Sequence, residues 1–353
     1  MNKIKLSDFG FNILQIETYA SCNMACSFCP YPLKDDFSSK LSIEEIKNII
    51  LQIDNKDEKF KYLTFSQYNE PLLDDRIFDI LRFSNQQNFK TLFITNGLLL
   101  NKEKNVRGLM ECKPDIKISL QVLDKNKHKD ARGLNMDLDN YVSTIINFCK
   151  RIKNSDLNLV IDLGCNFNDN YFKVYLKKIL GLQIGDPSMP DTLDKTIKFF
   201  YEYLILFKDI AEDEYKEKLN KSIYQIKNKK FSKKYLEQSG YKISRNITLK
   251  IKPFHYGRKI NEFYPINDNF SCESSILGVV ADGNVLPCCS AYDDSISMGN
   301  IKKQNLYDIL NNNEFLKNLR VKNSKKHITC KKCFGDPTKR GAFVRNIINY
   351  VRG

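Results

Sequence analysis

Six short apolar segments recur along the first 255 residues, each followed by a stretch of helical periodicity, and this alternation restricts the fold more than any other feature. The spacing predicts strands at 12–19, 62–66, 90–95, 116–122, 157–164 and 247–252. The first intervening helix opens with Ser42 and Glu45, a capping-box pair, ahead of Ile46, Ile49 and Ile50. Strand-helix units in series imply a parallel sheet, either open and doubly wound or an incomplete barrel. The two faces of the strands favour the barrel. One face carries Leu14, Ile16, Ile116, Ile118, Leu120, Leu159, Ile161, Leu163, Leu249 and Ile251. The other carries Gln15, Glu17, Lys117, Ser119, Gln121, Asp162, Asn166, Lys250 and Lys252. A parallel sheet covered on both sides is apolar on both, whereas a barrel around a polar ligand is not. The expected fold is therefore α/β, a partial (β/α)6 TIM-like barrel over about 10–255.

Between about 181 and 245 the repeat is interrupted by a helical, charged insertion that begins with Gly185-Asp186-Pro187. It reads as a lid, a partner surface or a decoration of the barrel. With 42% hydrophobic and 28% charged residues, disordered and collagen-like classes are excluded. No apolar run reaches the roughly 18 residues of a membrane span, and the N-terminus lacks a signal core. A cytoplasmic location and no membrane partner are expected. The formal charge of +14 is local: Lys216 to Lys234 holds eight lysines, and Lys317 to Arg352 holds eleven basic residues against Asp336. These stretches read as solvated surface or as a contact for an anionic partner. Trp is absent and no aromatic-interleaved basic motif occurs, so nucleic acid is an unlikely partner.

Eleven cysteines, an odd number without an export signal, do not make a disulfide framework. Cys112, Cys149 and Cys165 are scattered among apolar neighbours and read as packing. Cys22, Cys26 and Cys29 crowd one loop after the first strand, and the next cysteine is Cys112. Three thiolates without histidine can wrap one side of a soft metal centre and leave a coordination position open, where a structural zinc site would want a fourth ligand.

This loop, with aromatic Phe28 just before the third cysteine, resembles the cluster loop of the radical S-adenosylmethionine (SAM) superfamily. The Gly-Gly-Glu-like segment that the family carries after its second strand is matched by Tyr68-Asn69-Glu70-Pro71-Leu72-Leu73, with both glycines replaced. Thr95-Asn96-Gly97 closes the third strand as it often does in the family. The resemblance implies that Phe28, Asn69, Glu70, Ser119, Gln121, Arg132 and Asn166 contact SAM, with Glu70 accepting from its amino group. It also implies a [4Fe-4S] cluster held by Cys22, Cys26, Cys29 and SAM, reductive cleavage of SAM to a 5′-deoxyadenosyl radical, hydrogen abstraction from substrate, and an electron donor such as flavodoxin or ferredoxin.

Near the end, a hairpin is expected at Ala281-Asp282-Gly283-Asn284, bringing Cys272 towards Cys288, while Cys330-Lys331-Lys332-Cys333 supplies a second pair. Four thiolates of this kind suit zinc or iron-sulfur equally. Behind a radical SAM barrel, residues 268–345 resemble a small, cysteine-rich SPASM or twitch extension. No cysteine follows Cys333, so one auxiliary [4Fe-4S] cluster on Cys272, Cys288, Cys330 and Cys333 is expected, with Cys289 as a spare. A fully ligated cluster passes electrons, which favours a radical SAM oxidoreductase acting on a polar small molecule. The roughly 20 residues ahead of the cluster loop lead us to expect no leader-binding domain. The alternatives are a peptide- or protein-modifying enzyme, a redox-neutral epimerase and, remotely, a non-catalytic metal protein that binds nucleic acid.

Overall fold

The structure is a computed structural model and describes residues 3–120, 129, 132–134, 136–165, 193–228, 240–272, 274–288, 294–311, 313–321, 324–336 and 338–351, except 254–261. Its centre is one ten-stranded sheet in the order β10-β9-β8-β1-β2-β3-β4-β5-β7-β6. Six of these strands are parallel neighbours in the predicted order: β1 (Ile13–Ile16), β2 (Tyr62–Thr64), β3 (Thr91–Thr95), β4 (Asp115–Ser119), β5 (Leu159–Cys165) and β7 (Ile247–Pro253). The short β6 (Tyr241–Lys242) pairs antiparallel with β7 at one edge. The sheet curves as a partial barrel and does not close on itself. β1, β2 and β4 are shorter than the sequence pattern, because alternation continues past the last ladder bond into loops that carry the site.

The faces separate as the sequence implies. Leu14, Ile16, Ile116, Ile118, Leu120, Leu159, Ile161, Leu163 and Leu249 are each at most 1% exposed and pack under the helices. On the opposite face Lys117 and Ser119 are half-buried and Lys250 is exposed. The helical layer includes α1 (Ile43–Gln52), α2 (Ile77–Gln86), α3 (Glu103–Cys112) and α4 (Leu138–Ile152). The capping box of α1 is formed: Glu45 N–H donates to Ser42 Oγ at 3.0 Å and Ser42 N–H to Glu45 Oε2 at 2.7 Å.

Two features differ from the sequence expectation. The insertion is not a decoration: α5 (Leu193–Lys208) buries Phe200, Tyr203, Leu204 and Phe207 completely in the main core. It supplies the helical cover of the β5-to-β7 crossover, and its charged neighbour α6 (Asp213–Lys227) packs on it with Lys218, Lys221 and Lys227 turned to solvent. The cysteine-rich extension is also not set apart from the barrel. Its hairpin strands β8 (Ile276–Val279) and β9 (Asn284–Leu286) join the sheet, β8 lying parallel to β1 with Ile13 opposite Ile276 and Ile16 opposite Val279. An open sheet leaves β1 with an unpaired edge, and β8 satisfies it. β9 pairs in turn with β10 (Gly299–Asn300).

The hairpin turn is the expected one, with Gly283 at φ 97° where only glycine is free of strain. α7 (Leu306–Asn311), α8 (Glu314–Arg320), α9 (Ile328–Cys333) and α10 (Lys339–Val351) complete the chain. Among the described residues no helix is long and apolar enough to cross a membrane.

Candidate functional site

The three cysteines of the first loop follow β1 at the carboxyl end of the sheet, where ligands of parallel sheets bind. Cys26 is 8% exposed, and Cys22 and Cys29 are half-buried. The loop is pinned from several sides. Tyr31 donates its hydroxyl to the Cys22 carbonyl at 3.0 Å and its N–H to Cys29 Sγ at 3.4 Å. Glu70 N–H reaches the Ser21 carbonyl at 3.0 Å, Asn96 Nδ2 reaches Asn23 Oδ1 at 2.7 Å, and Ala25 N–H reaches the Arg132 carbonyl at 3.0 Å. Burial pushes the Cys29 thiol up to about 12 and Cys22 higher still, and their neighbouring thiols add to both shifts. Cys22 and Cys29 resist ionisation, so a cationic centre is needed to hold them as thiolates, and an iron-sulfur cluster fits a donor set of three cysteines.

Beside the loop, Glu70 is 1% exposed. It accepts from Leu72 N–H (3.1 Å), Thr95 Oγ1 (2.8 Å) and Asn96 N–H (2.8 Å). Burial pushes its carboxyl up to about 7, against those donors and the Arg132 guanidinium, which pull it down. Arg132, 2% exposed, donates to Cys26 Sγ at 3.6 Å and to the Ser119 carbonyl, and lies 5.9 Å from the Phe28 ring centroid. Its Nε has no partner among the described residues. Gly133 lets this segment approach: at φ 60° a Cβ there would fall 2.3 Å from the Ala25 carbonyl oxygen. Thus Phe28, Glu70, Ser119 and Arg132 are brought together around the cysteine loop. Next to Glu70, Asn69 Oδ1 accepts from Gln67 N–H at 3.0 Å and its Nδ2 donates to the Phe65 carbonyl at 3.2 Å, so its amide closes its own loop. Gln121 and Asn166 lie outside the described residues, as does Cys289.

The second group surrounds a smaller apolar cluster. Cys330, 8% exposed, is pushed up to about 12 by burial and then by Cys272 and Cys333. Cys272 and Cys288 are half-buried against the same residues, and Cys333 is exposed. Phe270 and Phe334 stack beside them, centroids 4.4 Å apart. The same cluster contains Tyr68, Val280 and Leu286 and also touches Cys29 and Tyr31, so one apolar patch joins the two cysteine groups. Among the described residues, no three His, Cys, Asp or Glu side chains close on a single ion. A four-iron cluster spreads its thiolates wider than one ion does.

Two family models match the chain: the radical SAM superfamily over residues 16–179, and an iron-sulfur cluster-binding domain, SPASM, over 271–334. The chain carries a radical SAM domain followed by a SPASM domain. Native anSMEcpe with bound AdoMet is similar in structure at a TM-score of 0.51 and 16% identity, with 96% of each chain covered. BtrN in complex with AdoMet and 2-DOIA gives 0.44 at 15%, covering 91% of this chain and 89% of that one. Streptococcus suis SuiB bound to S-adenosylmethionine gives 0.48 at 14%, covering 86% and 67%. At 16% identity the first of these likenesses shows the fold alone. No curated protein matches.

A radical SAM protein with a SPASM domain carries a [4Fe-4S] cluster with SAM and auxiliary iron-sulfur. One residue that joins the two regions was visible in the sequence only as part of a polar strand face. Glu17, 1% exposed at the end of β1, accepts from Lys34 Nζ at 2.6 Å, Tyr68 N–H at 3.2 Å and Ala281 N–H at 3.2 Å. It thereby ties the exit of the cluster loop, the Glu70 loop and the SPASM hairpin to one carboxylate.

Glu70→Gln is expected to keep the iron but weaken SAM binding about ten- to a hundredfold, the loss of a charge-assisted hydrogen bond of about 1.5–3 kcal/mol. Because the carboxylate rather than the acid attracts a charged amino group, wild-type affinity should rise as pH passes upward through about 7, and the Gln variant should lack that rise. Calorimetric titration of the reconstituted protein with SAM measures both. An unchanged dissociation constant would remove Glu70 from the site.

Proposed function

We propose that this radical SAM protein oxidises a polar small molecule, with one auxiliary [4Fe-4S] cluster on Cys272, Cys288, Cys330 and Cys333 as the electron acceptor. When bound, the first cluster and SAM supply the reducing electron and the 5′-deoxyadenosyl radical that abstracts a substrate hydrogen. The chain's own residues divide the remaining work. Cys22, Cys26 and Cys29 hold the cluster, Glu70 accepts from the SAM amino group, and the Arg132 guanidinium suits its carboxylate. Glu17 keeps the cluster loop, the Glu70 loop and the SPASM hairpin in fixed relation.

The single observation that carries the substrate class is the inner face of the sheet. Ser119, Asp162 and Lys250 stand side by side in register on β4, β5 and β7, with Lys117 one step below, so that hydroxyl, carboxylate and ammonium groups share one wall. Such a wall recognises a substrate rich in hydroxyl or amino groups. The continuous apolar patch from Cys29 to Cys330 supports the electron acceptor, since it excludes water between the two thiol groups.

The reading is tested by anaerobic incubation of reconstituted protein with SAM, dithionite and a fractionated metabolite extract, followed by mass spectrometry. A polar metabolite that loses two hydrogens in step with 5′-deoxyadenosine is the expected product, and Asp162→Asn should still cleave SAM while product falls about tenfold or more. Turnover of peptides alone would replace the small-molecule reading by peptide modification.

A further inference from the structure

Lys326 is 5% exposed in a region whose other lysines are mostly turned to solvent. Its ammonium donates to the Asn318 carbonyl at 2.5 Å, to the Val321 carbonyl and to Ser324 Oγ at 2.7 Å, and lies 5.6 Å from the Phe270 ring centroid. None of these oxygens is charged. Asp268 accepts the backbone N–H of Lys326 at 2.9 Å, but its carboxylate is shared with Lys331 Nζ at 3.0 Å. Capping the end of α8 needs a donor, not a buried charge, and an ammonium withdrawn from water is costly unless negative charge lies near it.

Asp268 supplies part of that charge, and the neighbouring groups show where more of it comes from. The carbonyl after Asn318, that of Leu319, accepts the Cys272 N–H at 3.2 Å, so the ammonium and Cys272 are held on successive carbonyls. Cys330 lies on α9, four residues after Lys326, which precedes the helix. Asp268 acts most on the ammonium, Cys330 and Cys272 act on it next, and the ammonium acts in return on Cys330.

We infer that Lys326 is the fixed counter-charge of the auxiliary cluster, a positioning residue that raises the cluster's reduction potential. The inference rests on the reading of Cys272, Cys288, Cys330 and Cys333 as its ligands. Adding one electron makes an already negative iron-thiolate centre more negative, and a fixed positive charge held out of water favours the reduced form over the oxidised one. The effect has the sign that an electron acceptor requires.

The test uses the full chain with Cys26→Ala, to leave the auxiliary cluster alone, reconstituted anaerobically and titrated with dithionite under electron paramagnetic resonance. Lys326→Gln and Lys326→Met are expected to move the midpoint to lower potential with iron content unchanged, while Lys326→Arg stays near the parent. A neutral variant that keeps its iron and its midpoint would overturn the inference. Loss of iron from both neutral variants but not from Lys326→Arg would support it, because charge and not shape is then what the cluster needs. Loss from all three variants would overturn it. Zinc in place of iron in the parent would overturn the ligand reading, and metal analysis before titration separates that failure from an unmoved midpoint.

Discussion

Alanine at Cys22, Cys26 or Cys29 is expected to lower the iron content of the reconstituted protein from about eight atoms to about four and to reduce SAM cleavage to background. On the proposed reading this loop supplies three thiolates and SAM completes the ligand set of the first cluster, so two thiolates leave it without a stable seat. The remaining iron should keep the spectrum of a fully ligated centre, because Cys272, Cys288, Cys330 and Cys333 come from a different part of the chain. Folding should survive. The loop lies beyond β1, and its replacement removes no strand or helix of the main core. Iron analysis with absorption spectroscopy, and chromatography of 5′-deoxyadenosine, measure the two effects. Cleavage retained in any of the three variants would remove that cysteine from the cluster.

The cysteine loop, the strand order and the apolar face were legible because each has a short-range signature: a fixed thiol spacing, a repeat of strand and helix, and a period of two. Glu70 was legible by its Glu-Pro-Leu-Leu context, and the structure gives that residue its three donors. What escaped is long-range. Nothing local to Glu17 announces that Lys34, Tyr68 and Ala281 converge on it, because those partners are brought together only when β8 docks on β1. Nor does the sequence announce that the Asn69 amide closes its own turn next to Glu70. The charged character of the insertion hid a helix that is apolar on one face, where Phe200, Tyr203, Leu204 and Phe207 repeat at helical spacing.

Cys330→Ala is expected to leave SAM cleavage intact and to abolish product. Cys330 is the most buried of the four auxiliary cysteines, and its loss opens the site at the apolar patch that leads back to Cys29. Without the auxiliary centre, substrate that has lost a hydrogen atom has no acceptor for its second electron, so 5′-deoxyadenosine should accumulate without oxidised product. An epimerase behaves otherwise, because it completes its reaction by returning hydrogen from a thiol near the reacting carbon. Cys112 and Cys149 are poorly placed for that. They are 2% and 0% exposed in the helical layer, on the far side of the sheet from the polar wall, and burial pushes both thiols up. Cys112→Ala and Cys149→Ala should each cost about 1–2 kcal/mol of stability and retain turnover. Cys165 alternates with Leu159, Ile161 and Leu163 on β5, and Cys165→Ala should likewise retain it. Turnover in deuterated water distinguishes the two chemistries. Deuterium at a substrate carbon, lost when one of these three cysteines is replaced, would establish hydrogen return and overturn oxidation, whereas unlabelled product that survives all three replacements but disappears with Cys330→Ala while SAM cleavage continues requires the auxiliary cluster as the electron acceptor.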